Sequence, residues 1–242
     1  MSLKNLTSDQ SIADEKDSVG SGGVLASGLY PSTITMAYVT VSTGGATGLV
    51  LHAKTSDGRD IRSTQWMTSG TAKGAKNYYE KDGAKHYLPG FLLAQSMSLL
   101  TTSKEISDLD TETKVVKLYN FESKAEVPTK VEMIMEMLGK EVLIGLIKQT
   151  VDKNVKNAAG VYVPSGETRE ENEIDKFFRA SDRKTTSEIR AKADEAVFVD
   201  TWSDKWTDKT RNKATGATSG GTAGAPAAAP AASKKPTASL FS

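Results

Sequence analysis

Hydrophobic and polar positions alternate through most of the middle of this chain. From Ile34 to Val41 β-branched and aromatic residues dominate; Gly44-Gly45 interrupts them, Leu49-Val50-Leu51-His52-Ala53 follows, and Ser56-Asp57-Gly58 marks a turn before Ile61 to Thr68. That pattern predicts a three-stranded meander. Tyr78-Tyr79-Glu80-Lys81, Asp82-Gly83 and Ala84-Lys85-His86-Tyr87 predict a two-residue type I′ hairpin, with Tyr78 opposite Tyr87, Tyr79 opposite His86, Glu80 opposite Lys85 and Lys81 opposite Ala84. In that register ring faces ring and charge faces charge.

Pro89-Gly90 opens a segment, Phe91 to Leu100, whose apolar positions suit a short buried helix. Val131, Ile134, Met135 and Leu138 fall at i, i+3, i+4 and i+7 between Pro128-Thr129 and Gly139, which predicts a helix; the same window also alternates, so a strand competes. Val142 to Ile147 is wholly apolar and predicts a central strand, with residues 172 to 179 as its antiparallel return or a helical turn. Residues 186 to 206 predict a helix with Ile189, Ala193, Val197 and Trp202 on one side. Short strands with one or two inserted helices make a mainly β, α+β protein, a small barrel or sandwich.

The 242 residues leave ample chain for one core with tails. Residues 1–24 are poor in large apolar side chains and are expected to form a flexible arm, 25–206 the folded domain, and 207–242 a disordered tail rich in Ala, Gly and Pro. The last apolar pair, Leu240 and Phe241 beside Ser239, has the form of a short docking peptide. The first thirty residues hold no apolar run that would make a secretory signal, and the uncharged window 31–53 is broken by Pro, Gly, Ser and Thr, so a cytoplasmic protein without a membrane span is expected.

A formal net charge of +1 argues against a global field for nucleic acid, but the total is a cancellation. Residues 54–85 carry seven basic and four acidic side chains, residues 104–179 twelve basic and fifteen acidic, and residues 206–242 five basic and one acidic. The positive excess therefore falls on the stretch that holds the hairpin and on the tail.

With no cysteine and two histidines the chain offers no thiolate metal site, cysteine nucleophile or His-rich metal site. The glycine-rich stretches 44–48 and 70–74 match no phosphate-loop or dinucleotide fingerprint and read as turns. The acidic groups Asp57/Asp60, Asp108/Asp110 and Glu170/Glu171/Glu173 fit solvated surface better than a two-metal nuclease. No catalytic constellation emerges, so a non-enzyme without cofactor or metal is expected. More specific is the segment from Lys54 to Phe91. Alternation puts Arg62, Thr64, Trp66 and Thr68 on one strand face, which exposes Trp66 beside a cation. Lys54, Arg59, Lys73, Lys76, Tyr78, Tyr79, Lys81, Lys85, His86, Tyr87 and Phe91 continue the mixture. Interleaved cations and rings are what sequence-tolerant single-strand binding uses, phosphates on the cations and bases on the rings. Tyr119 and Phe121, with Lys117 and Lys124, repeat the pattern. The bland alternatives are cross-strand packing of the rings with lysines as a solvated edge, or a subunit interface in a virion or assembly protein.

The runs GLYPSTITMAYV, LVLHAKTSDGRDIRSTQWMTSGTAKGAKNYYEKDGAKHYLPGF, LLTT, KLYNFESKAEVPTKVEMIMEMLGKEVLIGLIKQTVDKN and GETREENEIDKFF resemble the single-stranded DNA-binding proteins of tailed bacteriophages. KNYYEKDGAKHYLPG and LGKEVLIGLIKQ are the most distinctive, and the likeness covers Gly28 to Trp206. The resemblance implies an OB-like five-stranded β-barrel that coats single-stranded DNA in phage replication and recombination, in the cytoplasm of the infected bacterium, and leaves homo-oligomerisation open. It places the Lys54 to Tyr87 stretch in or beside the binding groove. Many such proteins end in an acidic partner-recruiting tail; here the tail is basic, with Lys234 and Lys235. Its Ser239-Leu240-Phe241 ending resembles the apolar half of peptides that dock on sliding clamps, which makes a replisome protein (polymerase, helicase or clamp) the expected tail partner.

Overall fold

The computed structural model describes residues 23–120, 123–158 and 160–215. The chain divides into two units, one of residues up to 150 with 170–212, the other of 151–169 with the residues from 213 onward.

In the first unit the predicted meander is present. β1 (Gly28–Val41), β2 (Thr47–Thr55) and β3 (Asp60–Trp66) pair antiparallel in order. Leu49, Leu51 and Ala53 of β2 and Ile61 of β3 point inward and are buried, so their even-numbered neighbours form the outer face. A bulge between Ile34 and Met36 inserts Thr35 into β1, which keeps Ile34 and Ala37 both in the core.

The expected hairpin, β4 (Tyr78–Lys81) and β5 (Ala84–Tyr87), has the predicted register at every pair, with Asp82 and Gly83 both at positive φ as a type I′ turn needs. It forms a separate two-stranded sheet. Helix α1 (Pro89–Thr102) follows, with proline in its first turn and Ala94, Met97 and Leu100 buried.

The helix expected over 131–138 is replaced by the competing strand. β6 (Glu112–Asn120) and β7 (Ala125–Met133) form a hairpin, and a single 3₁₀ turn, Met135–Met137, leads to Gly139 at φ +73°. Alternation decides it: Val131 and Met133 are buried with exposed Glu132 between them, and β7 satisfies its backbone on β6 and on β1 at Tyr38–Met133. The apolar run at 142–147 lies in β8 (Glu141–Lys156), paired with the first half of β1, and β9 (Tyr162–Arg179) returns beside it. β1 is thus shared, its first half by β8 and its last by β7.

The single helix expected over 186–206 is two, α2 (Thr186–Arg190) and α3 (Phe198–Trp206), and Val197 faces solvent. Glu188 explains the break. Its carboxylate closes a capping box with Thr185 and also accepts the N–H groups of Val197 and Phe198, so one side chain caps both helices. Burial works against its charge, but those backbone donors and the Thr185 hydroxyl keep its pKa below the ordinary value. Past Trp206, where the tail was expected to begin, the chain forms β10 (Thr210–Asn212), parallel to β8. Arg211 holds it there through Gln149, Glu173 and Asp175, and Asp175 also accepts from the Trp202 indole.

The main core joins Ile34, Leu49, Leu51, Ile61, Met97, Ile144, Ile174 and Phe177, from β1, β2, β3, β8, β9 and α1. The molecule is mainly β. Its large sheet runs β10-β8-β1-β2-β3 with β9 on β8, and no ladder among the described residues joins β3 to β9, so the sheet is not closed. In the second unit, the distal halves of β8 and β9 carry a Lys153–Glu167 ion pair and place Lys156 over the Tyr162 ring.

Candidate nucleic-acid interface

The outer face of β1, β2 and β3 follows from register. Gly48 lies opposite Trp66, Val50 opposite Thr64, His52 opposite Arg62 and Lys54 opposite Asp60, with Met36 and Tyr38 of β1 opposite His52 and Val50. Arg62, Thr64 and Trp66 share the exposed side as alternation required. Six residues at about 3.3 Å each spread the face from Asp60 to Trp66 over about 20 Å.

Trp66 is 44% exposed. Its ring lies across Gly48: a Cβ there would stand 2.8 Å from Trp66 Cε3. The Gly44 to Gly48 stretch therefore splits in role. Gly44 and Gly45 make the turn expected of them, while Gly48 is a strand residue whose bare backbone is the bed for the indole. From the other side, Gly90 in the first turn of α1 approaches so closely that a Cβ would meet the Trp66 carbonyl oxygen at 2.2 Å. The backbone is gripped while one face of the ring stays open to solvent.

Beyond Trp66 the turn containing Lys73 is tied to the β1–β2 loop by the Thr71 N–H to Gly44 carbonyl bond of 2.8 Å. The hairpin then divides its side chains between two faces. Tyr78, Lys85 and Tyr87 share one; Tyr79, Lys81 and His86 share the other, with Tyr79 and His86 stacked at 5.5 Å. Tyr87, 55% exposed, packs its ring 4.9 Å from Phe91, next to the Gly90 that grips Trp66. Tyr87 thus links the Tyr78 face of the hairpin to Phe91, the residue after the Gly90 that abuts the Trp66 backbone, and the Tyr79–His86 pair lies on the other face of the hairpin. Glu80 and Lys85 sit opposite one another as predicted, yet the Lys85 ammonium lies over the Tyr78 ring at 4.9 Å, and Lys76 is 5.4 Å from the same centroid.

Not every expected residue joins this surface. Arg59 sits in the β2–β3 turn, ion-paired to Asp57 and over the Tyr30 ring at 5.2 Å. The hydrogen bonds from Arg59 and Thr55 bring the Asp57 pKa down to about 2. With its charge matched, Arg59 drops out of the group of free cations. Tyr119 and Lys117 are exposed on the opposite face of their hairpin from Val116 and Leu118, the residues packed on the Tyr38 cluster, so they do not extend the Trp66 face. Phe121, Ser239, Leu240 and Phe241 lie outside the described residues.

Among the described residues Lys54, Arg62, Lys73, Lys76, Lys81 and Lys85 have no carboxylate partner, whereas Lys104, Lys148, Arg179, Arg183 and Arg211 each hold one. Acidic groups weighed as metal ligands are engaged with cations, Asp57 with Arg59, Glu170 with Lys148 and Glu173 with Arg211. No group of three His, Asp or Glu among the described residues is placed to hold a metal. His52 and Tyr38 are the site residues that motif reading passed over; alternation in LVLHAK put His52 and Lys54 on one face and could have found the first of them.

Fold and surface together define a mainly β protein with an exposed face of rings and unmatched cations. No protein-family model matches the chain, and no curated protein matches it.

Proposed function

We propose that this protein binds single-stranded DNA without sequence preference and without catalysis, as the single-strand coat of a bacteriophage replication and recombination system. The strand runs along the outer face of β2 and β3, past His52, Arg62 and Trp66, and onto the Tyr78–Tyr87–Phe91 side of the hairpin. One observation carries the reading: on this surface the exposed rings of Trp66 and Tyr87 lie among cations that no carboxylate of the described residues neutralises. Bases need the first and phosphates the second.

We further read the core as an OB-like five-stranded barrel left open between β3 and β9. The hydrogen-bonded path β3-β2-β1-β8-β9, with α1 between the third and fourth of these strands in chain order, supports it. In that fold the face of the second and third strands and the loop between the first two receive oligonucleotides, which is where Trp66 and Gly44 lie.

Fluorescence titration of oligo-dT with Trp66→Ala tests the proposal. The variant should lose about 1–3 kcal/mol of binding free energy, the value of one stacked base, with its melting temperature little changed. Undiminished affinity in Trp66→Ala would overturn the proposed path.

A further inference from the structure

Tyr38, His52 and Arg62 occupy three adjacent strands on the outer face. His52 is directly opposite Arg62, and the Tyr38 ring stands edge-on to the imidazole with centroids 6.2 Å apart. The bulge at Thr35 sets this alignment, since it brings Met36 opposite His52 and puts Tyr38 on the same side of the sheet as His52. Thr35 also bonds the His52 carbonyl at 3.2 Å, which fixes the backbone beneath the ring. Among the described residues the phenol, the imidazole and the guanidinium have no hydrogen-bond or ion-pair partner; Arg62 is exposed and His52 half-buried, while the Tyr38 ring is buried against Val131 and Met133 with only its hydroxyl not fully enclosed. Three neighbouring donors with no acceptor from the described residues give an anion a place to be held by charge-assisted hydrogen bonds.

We propose that Tyr38, His52 and Arg62 form one phosphate-binding subsite for the backbone of the bound strand. The subsite rests on the single-strand reading of this face and adds to it two residues and a proton. Arg62 supplies a permanent charge and a planar fork of donors, Tyr38 a hydroxyl donor, and His52 an N–H that becomes a second charge when the ring is protonated.

In the free protein the imidazole pKa is held below its ordinary value, first by burial and then by the Arg62 charge, with Asp60 opposing. Lys54 beside it on β2 and Tyr38 on β1 are the other titratable groups on this face. A phosphodiester seated between His52 and Arg62 cancels the repulsion and adds an attracting charge, so the pKa rises on binding. By reciprocity DNA binding takes up a proton and tightens as pH falls, by up to about tenfold for each unit the pKa rises.

The test is an NMR titration of the imidazole signals in the unmodified protein with and without saturating oligo-dT. Two histidines make the spectrum simple, and His52 is identified by its Overhauser contact with the Tyr38 ring. Its pKa should rise on binding. In parallel, the affinity ratio between about pH 5.5 and about pH 7.5 should shrink by about threefold or more in His52→Gln relative to the parent protein. Oligo-dT bound, as reported by tryptophan fluorescence, with the His52 titration unmoved would overturn the subsite and leave the DNA-binding reading standing. Failure of oligo-dT to bind at either pH would overturn both.

Discussion

The Trp66 ring can serve as the proposed stacking surface only because position 48 carries no side chain. Glycine weakens a strand interior, and an aromatic laid across it from the neighbouring strand recovers the lost packing. The same arrangement leaves the outer face of the indole free. Gly48→Val suits the strand conformation but drives a branched side chain into the ring, so the sheet should persist while the platform is lost. Oligo-dT affinity should fall by about five- to a hundredfold, as for loss of one stacked base, with a shifted tryptophan emission maximum. Unchanged affinity would separate the ring's packing role from binding. Period-two alternation made the exposure of Trp66 legible in the sequence. The role of Gly48 was not, because a glycine beneath a ring and a glycine in a turn look alike until register places Trp66 opposite one of them.

Among elements, the β4–β5 hairpin was the most legible because its information is local: Asp-Gly fixes the turn, and the turn fixes every pair. The segment 131–138 was ambiguous because its apolar spacing satisfies two periods at once; pairing with β6 and β1, distant in sequence, chooses the strand. The break between α2 and α3 was hidden for a similar reason, since Glu188 acts on N–H groups nine and ten residues away. The hairpin stands as its own two-stranded sheet, and all of β5 is exposed, so little of the core depends on it. Gly83 has φ +76°, which any other residue adopts at a cost of about 1–2 kcal/mol. Gly83→Ala should therefore loosen the hairpin and lower oligo-dT affinity severalfold while thermal unfolding of the core barely moves. A matching fall in core stability would show that the hairpin is a structural strut.

Over the whole molecule the formal net charge of +1 conceals an uneven pattern of charge matching. Lys148, Lys153, Arg179, Arg183 and Arg211, in β8, β9, β10 and the loop after β9, are ion-paired to carboxylates, whereas the cations between Lys54 and Lys85 other than Arg59 are not. Segment charges foretold where the positive excess falls; which charges remain available required the ion pairs. The meander was equally legible, but the sharing of β1 between β7 and β8 was not, because it depends on strands about a hundred residues apart. The central claim, a single-strand surface built of unmatched cations and open rings, is most directly tested by oligo-dT affinity as a function of salt. With five free cations on the proposed path, Lys81 being on the other face of the hairpin, the slope of log K against log salt should approach about −3.5, at about −0.7 per neutralised phosphate on a single strand, with duplex of equal length bound more weakly. A flat salt response, or equal affinity for duplex, would contradict it.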